Sequence, residues 1–128
     1  MYDMCFACGR DNPISLGLDF QVSGNNRVEA EFKPGQNHQG YEGIVHGGIV
    51  STLLDEAMVT AIIESGYEAY TAELRVRFRE EIKVDEELKI RGYILDKKSR
   101  LVFTEAEVCD LGGKVKARAE GKFMINRN

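Results

Sequence analysis

One segment constrains the fold of this chain more than any other: residues 46–64 form a helix pattern that is apolar on nearly every side. The segment contains no proline, and its only glycines, Gly47 and Gly48, lie at its start. When residues are placed at 100° steps, most apolar side chains fill one broad side, while Val59 and Ile63 lie opposite. A helix that is apolar almost all round is expected to be buried. The rest of the chain must therefore enclose it.

On both sides of this helix, apolar residues alternate with polar ones, which is typical of strands that bury one face. Residues 16–22 and 27–33 alternate around a Ser-Gly-Asn-Asn turn, which predicts a hairpin. Four more alternating segments follow the helix, within residues 74–78, 88–94, 102–108 and 115–125. The short connections favour antiparallel neighbours. We therefore predict an α+β fold in which an antiparallel sheet wraps around one long buried helix. Its uncovered edges would pair with another copy, so we expect a homo-oligomer.

The composition limits the classes of function. At 128 residues the chain supports one domain, spanning residues 1–128. Its net charge of −4 argues against nucleic acid as a partner, because phosphate contacts favour a basic surface. No apolar run has the roughly 20 residues that span a membrane, and the first residues lack a signal-peptide pattern. An odd number of cysteines, three, favours a reducing cytoplasmic location.

The helix carries two acidic residues, Asp55 and Glu56, near the middle of a segment that should be buried. A buried carboxylate costs several kcal/mol unless it is paired or hydrogen-bonded. One reading is that this side of the helix reaches water or makes a structural ion pair. The functional reading is that Asp55 acts as a general base or a nucleophile in a pocket shared with a neighbouring subunit.

The start of the helix offers backbone donors. Gly47 and Gly48 follow His46, so no side chain shields the first N–H groups, which can bind an anion or a developing oxyanion. The alternative is a plain glycine-rich helix entry. A hydrolase triad is excluded, because Ser51 lies about 140° and Asp55 about 180° around the helix from His46. Ser51 is four residues from Asp55 and is at best an auxiliary group.

Two of the cysteines, Cys5 and Cys8, form a C-x-x-C pattern. Zinc takes four ligands, so a site here would need a second chain or both histidines. A redox role lacks the expected βαβ context. We therefore predict no metal site and a structural or incidental pair of thiols.

Residues 38–58, HQGYEGIVHGGIVSTLLDEAM, resemble the signature of the hotdog-fold acyl-CoA thioesterases. The closer resemblance is to the phenylacetate-pathway type of the 4-hydroxybenzoyl-CoA thioesterase superfamily. Residues 5–13 and 71–78 are also similar to segments of this family, so the resemblance covers essentially the whole chain. It implies a hotdog fold and hydrolysis of an acyl-CoA to a free acid and coenzyme A without a further cofactor. It also implies a homodimer or homotetramer with active sites at the subunit interface.

The resemblance implies a role for each of three residues, and the position of His46, which precedes the helix and faces away from Asp55, adds an expectation for a fourth. The N–H of Gly47 would polarise the thioester carbonyl, and Asp55 would be the general base or the nucleophile. Thr71 lies where the family often has a Ser or Thr that helps to place the water. His46 would shape the loop by hydrogen bonding and not act as a base. In this family the acid and the glycine-bearing loop commonly come from different chains.

The chain departs from the family at Gly40, where related enzymes often have Asn. Gln39 and His38 are the neighbours that could replace it. Other expected substrate contacts are Gly48, Tyr41, Ser51, Met58, Arg75 and Arg77. Arg75 and Arg77 could hold the phosphates of coenzyme A, although a solvated strand face is the simpler reading.

Two alternative functions use the same cleft. A binding or regulatory protein would hold an acyl-CoA without hydrolysing it. An enoyl-CoA hydratase would add water to the acyl chain and leave the thioester intact.

Overall fold

A computed structural model describes residues 2–126 of the chain. The predicted order of two strands, one helix and four strands is confirmed. The elements are β1 (Gln21–Gly24), β2 (Arg27–Phe32), a short 3-10 helix (Gln36–His38), α1 (Gly47–Glu64), β3 (Ala69–Phe78), β4 (Leu88–Lys98), β5 (Leu101–Asp110) and β6 (Val115–Ile125). Within these residues, no helix has the length and hydrophobicity that crossing a membrane requires.

The six strands form one antiparallel sheet in the order β1-β2-β4-β5-β6-β3. α1 lies against this sheet and contacts β2 to β6, so the predicted α+β architecture is confirmed. β3 follows the helix in sequence but pairs with β6, at the opposite end of the sheet from the first hairpin. The two free edges of the sheet are therefore β1 and β3.

The core lies between α1 and the sheet. The helix contributes a fully buried set of side chains, Leu53, Leu54, Ala57, Met58 and Ile62, which packs with Ile90, Val108 and Phe123 of the strands. Gly92 of β4 lets the sheet touch the helix directly, because a Cβ at this position would collide with the backbone carbonyl of Ala57. The distance between helix and sheet is thus set by backbone contact.

The first predicted strand is shorter than expected. β1 contains only the last part of residues 16–22, and Val22 is 61% exposed where alternation predicted burial. Leu16 and Leu18 are buried, but their N–H groups donate to Phe6 O (2.9 Å) and Ala7 O (3.0 Å). The alternating pattern here reflects an extended segment that pairs with the N-terminal residues and not with the sheet.

β3 also differs from the prediction of a half-buried strand. Leu74 and Phe78 alternate as expected of a core face, yet Phe78 is 54% exposed and Tyr70 is exposed nearby. β3 is an edge strand, and no other part of residues 2–126 covers its outer side. The exposed edge agrees with the expectation of an uncovered sheet edge, while the oligomer itself stays a prediction.

Candidate active site

The N-terminus of α1 presents one backbone donor. His46 is the N-cap, and its Nδ1 accepts a hydrogen bond from the N–H of Gly48 at 2.8 Å. The His46 carbonyl accepts from the N–H groups of Ile49 (2.9 Å) and Val50 (3.2 Å). The Gly47 N–H has no acceptor within residues 2–126. His46 therefore engages the donor of Gly48, while the N–H of Gly47 stays without an acceptor in residues 2–126.

Gly47 opens on a cleft of about 230 Å³. Val50 and Phe78 form its apolar side, and a Cβ at Gly47 would lie 3.6 Å from the Phe78 ring. Arg79 lies on its rim. The positive end of the helix dipole adds to the field of the Gly47 N–H, so this N–H favours an oxygen atom that gains negative charge. The carboxylates of Glu80 and Glu81 also line the cleft and oppose this field.

Asp55 lies two helical turns further along α1 and is bound to β3. The Thr71 hydroxyl donates to Asp55 Oδ1 at 2.8 Å, which joins two residues that the sequence singled out separately. Burial raises the pKa of the Asp55 carboxyl, and the bond from Thr71 partly opposes this by stabilising the anion. Oδ2 has no hydrogen bond within the described part of the chain, so it is available to a water molecule or a substrate.

Gly47 and Asp55 of one chain do not face a common point. Eight residues of helix separate them by about 12 Å along the axis. The first N–H groups of a helix point out of its N-terminus, away from the residues that follow. Ser51 makes no hydrogen bond to Asp55 among residues 2–126, so the structure agrees that no serine triad forms. Within one chain, the Gly47 N–H and the Asp55 carboxylate therefore lie at separate places on α1.

The loop before α1 is held by its own side chains. Gln39 Oε1 accepts from the Gly43 N–H at 2.6 Å, and Gln39 Nε2 donates to Gln36 O at 2.9 Å. His38 Nδ1 accepts from the Gly35 N–H at 2.9 Å. These bonds engage both the oxygen and the nitrogen of the Gln39 side-chain amide, so this side chain braces the loop.

Several residues that the sequence predicted as substrate contacts lie in the core or on the exposed surface of the chain. Met58, an expected substrate contact, is 0% exposed and packs in the core, so a single chain offers no surface of this side chain to a substrate. The nearly all-apolar helix carries no signal for which of its sides faces a ligand. Tyr41 is 87% exposed on the loop. Arg75 forms an exposed ion pair with Glu120 (3.5 Å), and Arg77 is exposed on the same strand, as the solvated reading expects.

One cluster was not anticipated. Glu56, only 8% exposed, lies beside Cys5 and Cys8, and one ligand atom of each lies within 4.8 Å of the others. Burial is the main cause that raises the pKa of the Glu56 carboxyl. The sequence pattern indicated only cysteines and histidines as partners for the C-x-x-C pair. Residues 5–8 and 56 are far apart in sequence, so no local pattern indicated their contact.

Comparison with known proteins gives a family match over more than half of the chain. The family described as the thioesterase superfamily matches residues 42–117. A protein of Saccharolobus solfataricus that is named as a candidate esterase is 29% identical over 116 residues, which are 86% of this chain and 81% of that protein. Human acyl-coenzyme A thioesterase 13 is 25% identical over 100 residues, which are 77% of this chain and 66% of the human protein.

Solved structures share the fold. Protein RHA08564, a thioesterase superfamily protein, superposes with a TM-score of 0.90 at 24% identity and covers 95% of this chain, which spans 60% of that protein. The Escherichia coli PaaI protein of the phenylacetic acid degradation operon gives 0.82 at 17% identity, over 88% of this chain and 82% of its own. The smu.793 protein of Streptococcus mutans, bound to acetyl CoA, gives 0.80 at 19% identity, over 85% of this chain and 88% of its own.

Proposed function

The chain belongs to the thioesterase superfamily, as the resemblance predicted, and we propose that this thioester hydrolase cleaves an acyl-CoA into a free acid and coenzyme A. The observation that carries the proposal is the 2.8 Å hydrogen bond from the Thr71 hydroxyl of β3 to the half-buried Asp55 carboxylate of α1. The first N–H of the same helix has no acceptor in residues 2–126 and is free to bind an oxygen. The names of the human relative and the acetyl CoA complex of the S. mutans neighbour support acyl-CoA as the substrate class.

The Gly47 N–H takes the role of oxyanion donor. It donates to the thioester carbonyl oxygen and stabilises the negative charge that this oxygen gains when the carbonyl carbon is attacked. The Phe78 side of the cleft limits the water around this oxygen. A donor in a partly dry site interacts more strongly with charge than one in bulk solvent.

Asp55 takes the role of general base or nucleophile. As a base, its Oδ2 removes a proton from water while the water oxygen bonds to the carbonyl carbon, and the thiolate of coenzyme A then leaves. As a nucleophile, Oδ2 attacks the same carbon and water cleaves the resulting anhydride. Both routes need the ionised carboxylate, and in both Thr71 fixes Oδ1 so that Oδ2 faces the substrate.

The complete site forms between two chains. The Gly47 N–H and Asp55 of one chain point apart, so a second copy has to supply the missing half. The exposed edge strand β3 carries Thr71 together with Tyr70 and Phe78, which supports pairing of two copies along this edge. A homodimer, or a homotetramer made of two such dimers, therefore contains two equivalent active sites per pair of chains.

The proposed reaction uses water and acyl-CoA alone, with coenzyme A as part of the substrate and no further cofactor. We also propose a cytoplasmic location. Three free cysteines, Cys5, Cys8 and Cys109, are consistent with a reducing compartment.

The test is the release of free thiol from short, medium, aromatic and long acyl-CoAs, with binding of each measured by calorimetry. We expect the wild type to release thiol and Asp55→Asn to bind the same substrate while its turnover falls about 10²- to 10⁴-fold. The exposed Asp11→Asn is the matched acid-to-amide control and should keep wild-type turnover.

Three outcomes would overturn the proposal. Binding without thiol release would identify a binding protein, and hydration of an enoyl-CoA with an intact thioester would identify a hydratase. Near-wild-type turnover by Asp55→Asn would remove this residue from the mechanism. A single turnover in ¹⁸O-water that leaves the label on Asp55 would identify the nucleophilic route, because water then cleaves the anhydride at the Asp55 carbonyl carbon, whereas a general base delivers the label to the product acid.

A further inference from the structure

The N-terminal segment and the central helix meet at a group of three partly or fully buried side chains that the proposed reaction does not use. The two Sγ atoms of Cys5 and Cys8 and a carboxylate oxygen of Glu56 lie within 4.8 Å of one another. We propose that this group, the Cys5–Cys8–Glu56 cluster, is a binding site for a thiophilic divalent cation, with zinc as the best match.

The distances suit zinc coordination. Bonds of about 2.3 Å to sulfur and 2.0–2.2 Å to oxygen place the ligand atoms of a zinc tetrahedron roughly 3.5–3.8 Å apart. Ligand atoms that already lie within 4.8 Å of one another reach this spacing by small rotations of their side chains. Two sulfur ligands select against magnesium and calcium, which prefer oxygen.

The backbone holds the two thiols in place. Cys5 and Cys8 lie on a tight turn that the Gly9 N–H closes by donating to Cys5 O at 2.8 Å. A Cβ at Gly9 would collide with the backbone of Asp3 and Cys5, so only glycine allows this turn. Buried Ala7 between the thiols anchors the turn to the body of the fold. The site is therefore positioned before any cation binds.

Glu56 adds a ligand from a rigid element. It lies in the middle of α1, and no ion pair within residues 2–126 includes it. Its hydrogen-bonding neighbour is the Cys8 thiol, which carries no positive charge. A divalent cation bound between the two groups would add the positive charge that offsets the burial of the carboxylate. Neither histidine belongs to the site, because His38 bonds within the loop before α1 and His46 caps the N-terminus of α1.

The fourth coordination position is open to water. Cys5 and Cys8 are half-buried, so solvent reaches the outer side of the cluster. Three protein ligands and one water make a complete tetrahedral zinc site, and the thiol protons pass to solvent as the two Zn–S bonds form.

A metal role fits these thiols better than a redox role. Reactive cysteines have a lowered pKa, and burial raises the pKa of the Cys8 thiol, which the neighbouring Cys5 and Glu56 raise further. The cation would fasten the N-terminal segment to the helix at the residue that directly follows Asp55. This function is separate from hydrolysis, so it stands whether or not the chain cleaves acyl-CoA.

The experiment measures zinc uptake by the full chain, prepared metal-free in a non-thiol reductant, by calorimetry and by metal analysis after dialysis. We expect one Zn²⁺ per chain, with thiolate-to-metal charge transfer when Co²⁺ replaces it. Losing a residue that only orients a ligand already costs about 10- to 100-fold in affinity, so Cys8→Ala, which removes a direct ligand, should weaken binding at least about 100-fold. Glu56→Gln should weaken it at least about 10-fold, because the amide keeps an oxygen but loses the negative charge. Cys109→Ala, which removes the buried third thiol, is the matched control and should bind as the wild type does.

The thermal midpoint gives a second readout. Zinc should raise Tm in the wild type and in Cys109→Ala, because a ligand that binds the folded state and not the unfolded state stabilises the fold. Cys8→Ala lacks a ligand of the site, so zinc should not raise its Tm. The proposal is overturned if the wild type takes up no stoichiometric zinc. It is equally overturned if Cys8→Ala and Glu56→Gln bind zinc with wild-type affinity, since the metal would then lie on other groups.

Discussion

The role of the Gly47 N–H can be tested by removing that single hydrogen with Gly47→Pro. Gly47 is the first residue of α1, where proline is favoured because its missing N–H has no partner inside the helix. His46, with φ −61° and ψ 135°, already has the extended conformation that a residue before proline adopts. The Phe78 ring would lie 3.6 Å from a Cβ added at Gly47, which is an ordinary van der Waals contact.

The expected changes in stability and in kcat follow from this geometry. Replacing glycine by proline at a compatible site stabilises a protein by about 0.4–1 kcal/mol, so the variant should fold at least as well as the wild type. Loss of one oxyanion donor lowers kcat about 10²- to 10³-fold, or about 2.7–4 kcal/mol. Gly47→Ala keeps the N–H and adds only an ordinary contact with Phe78, so its kcat should stay within a few-fold of the wild type.

The assay is thiol release under saturating acyl-CoA, together with thermal unfolding of each variant. Wild-type kcat in Gly47→Pro would refute the oxyanion role. Equal losses in Gly47→Pro and Gly47→Ala would show that any side chain at this position blocks the cleft, and that the donor itself does not matter.

The same variant tests whether the site is shared between chains. When Gly47→Pro and Asp55→Asn are unfolded, mixed in equal amounts and refolded, half of the dimers contain one chain of each kind. Each mixed dimer holds one site in which both residues are wild type, so about a quarter of the wild-type activity should return. If Gly47 and Asp55 acted within one chain, no site would be intact and no activity would return.

Two further predictions concern pH and packing. Because burial raises the pKa of Asp55 and the reaction needs its anion, kcat/KM should fall as pH decreases through a pKa above the usual aspartate value. Thr71→Ala removes a hydrogen bond to the anion and should move this fall to higher pH. An unchanged pH profile in this variant would contradict a role for the contact between Thr71 and Asp55. Gly92→Ala should lower stability by about 1–3 kcal/mol or more, because its Cβ collides with the helix carbonyl of Ala57. Gly121→Ala meets only the ends of side chains and should cost less in urea unfolding; equal costs would show that the helix backbone yields easily.

The helix and the hairpins could be predicted because their signals are local. The proline-free apolar segment gave α1 to within one residue of its observed start, and alternation with turn residues located β2 and β4 to β6. Strand order was not predictable in this way. β3 pairs with β6 and not with its sequence neighbour β4. This pairing depends on the path that the chain takes around the helix, and alternation within a strand does not show that path.

The site was predictable where one segment carries it. The spacing from Gly47 to Asp55 lies within a single helix, so the sequence alone fixes their separation and their opposite directions. The sequence of the same helix did not show which of its side chains are buried in the core. Met58 is buried there, but nearly every side of the helix is apolar, so the pattern did not distinguish the core side from the others. Glu56 contacts the N-terminal turn, about fifty positions away in sequence. Sequence periodicity predicts local structure and gives no information on contacts at this separation.

The hydrogen bond between Thr71 and Asp55 makes the reactive carboxylate depend on an edge strand. An edge strand of a lone chain is fixed on one side only, by β6, and in the proposed assembly its other side is fixed by a second molecule. Specific activity should therefore vary with protein concentration: on dilution below the dissociation constant of the dimer, turnover per chain falls even though each chain remains folded. The amount of enzyme present would then regulate not only the total rate but also the fraction of molecules able to react.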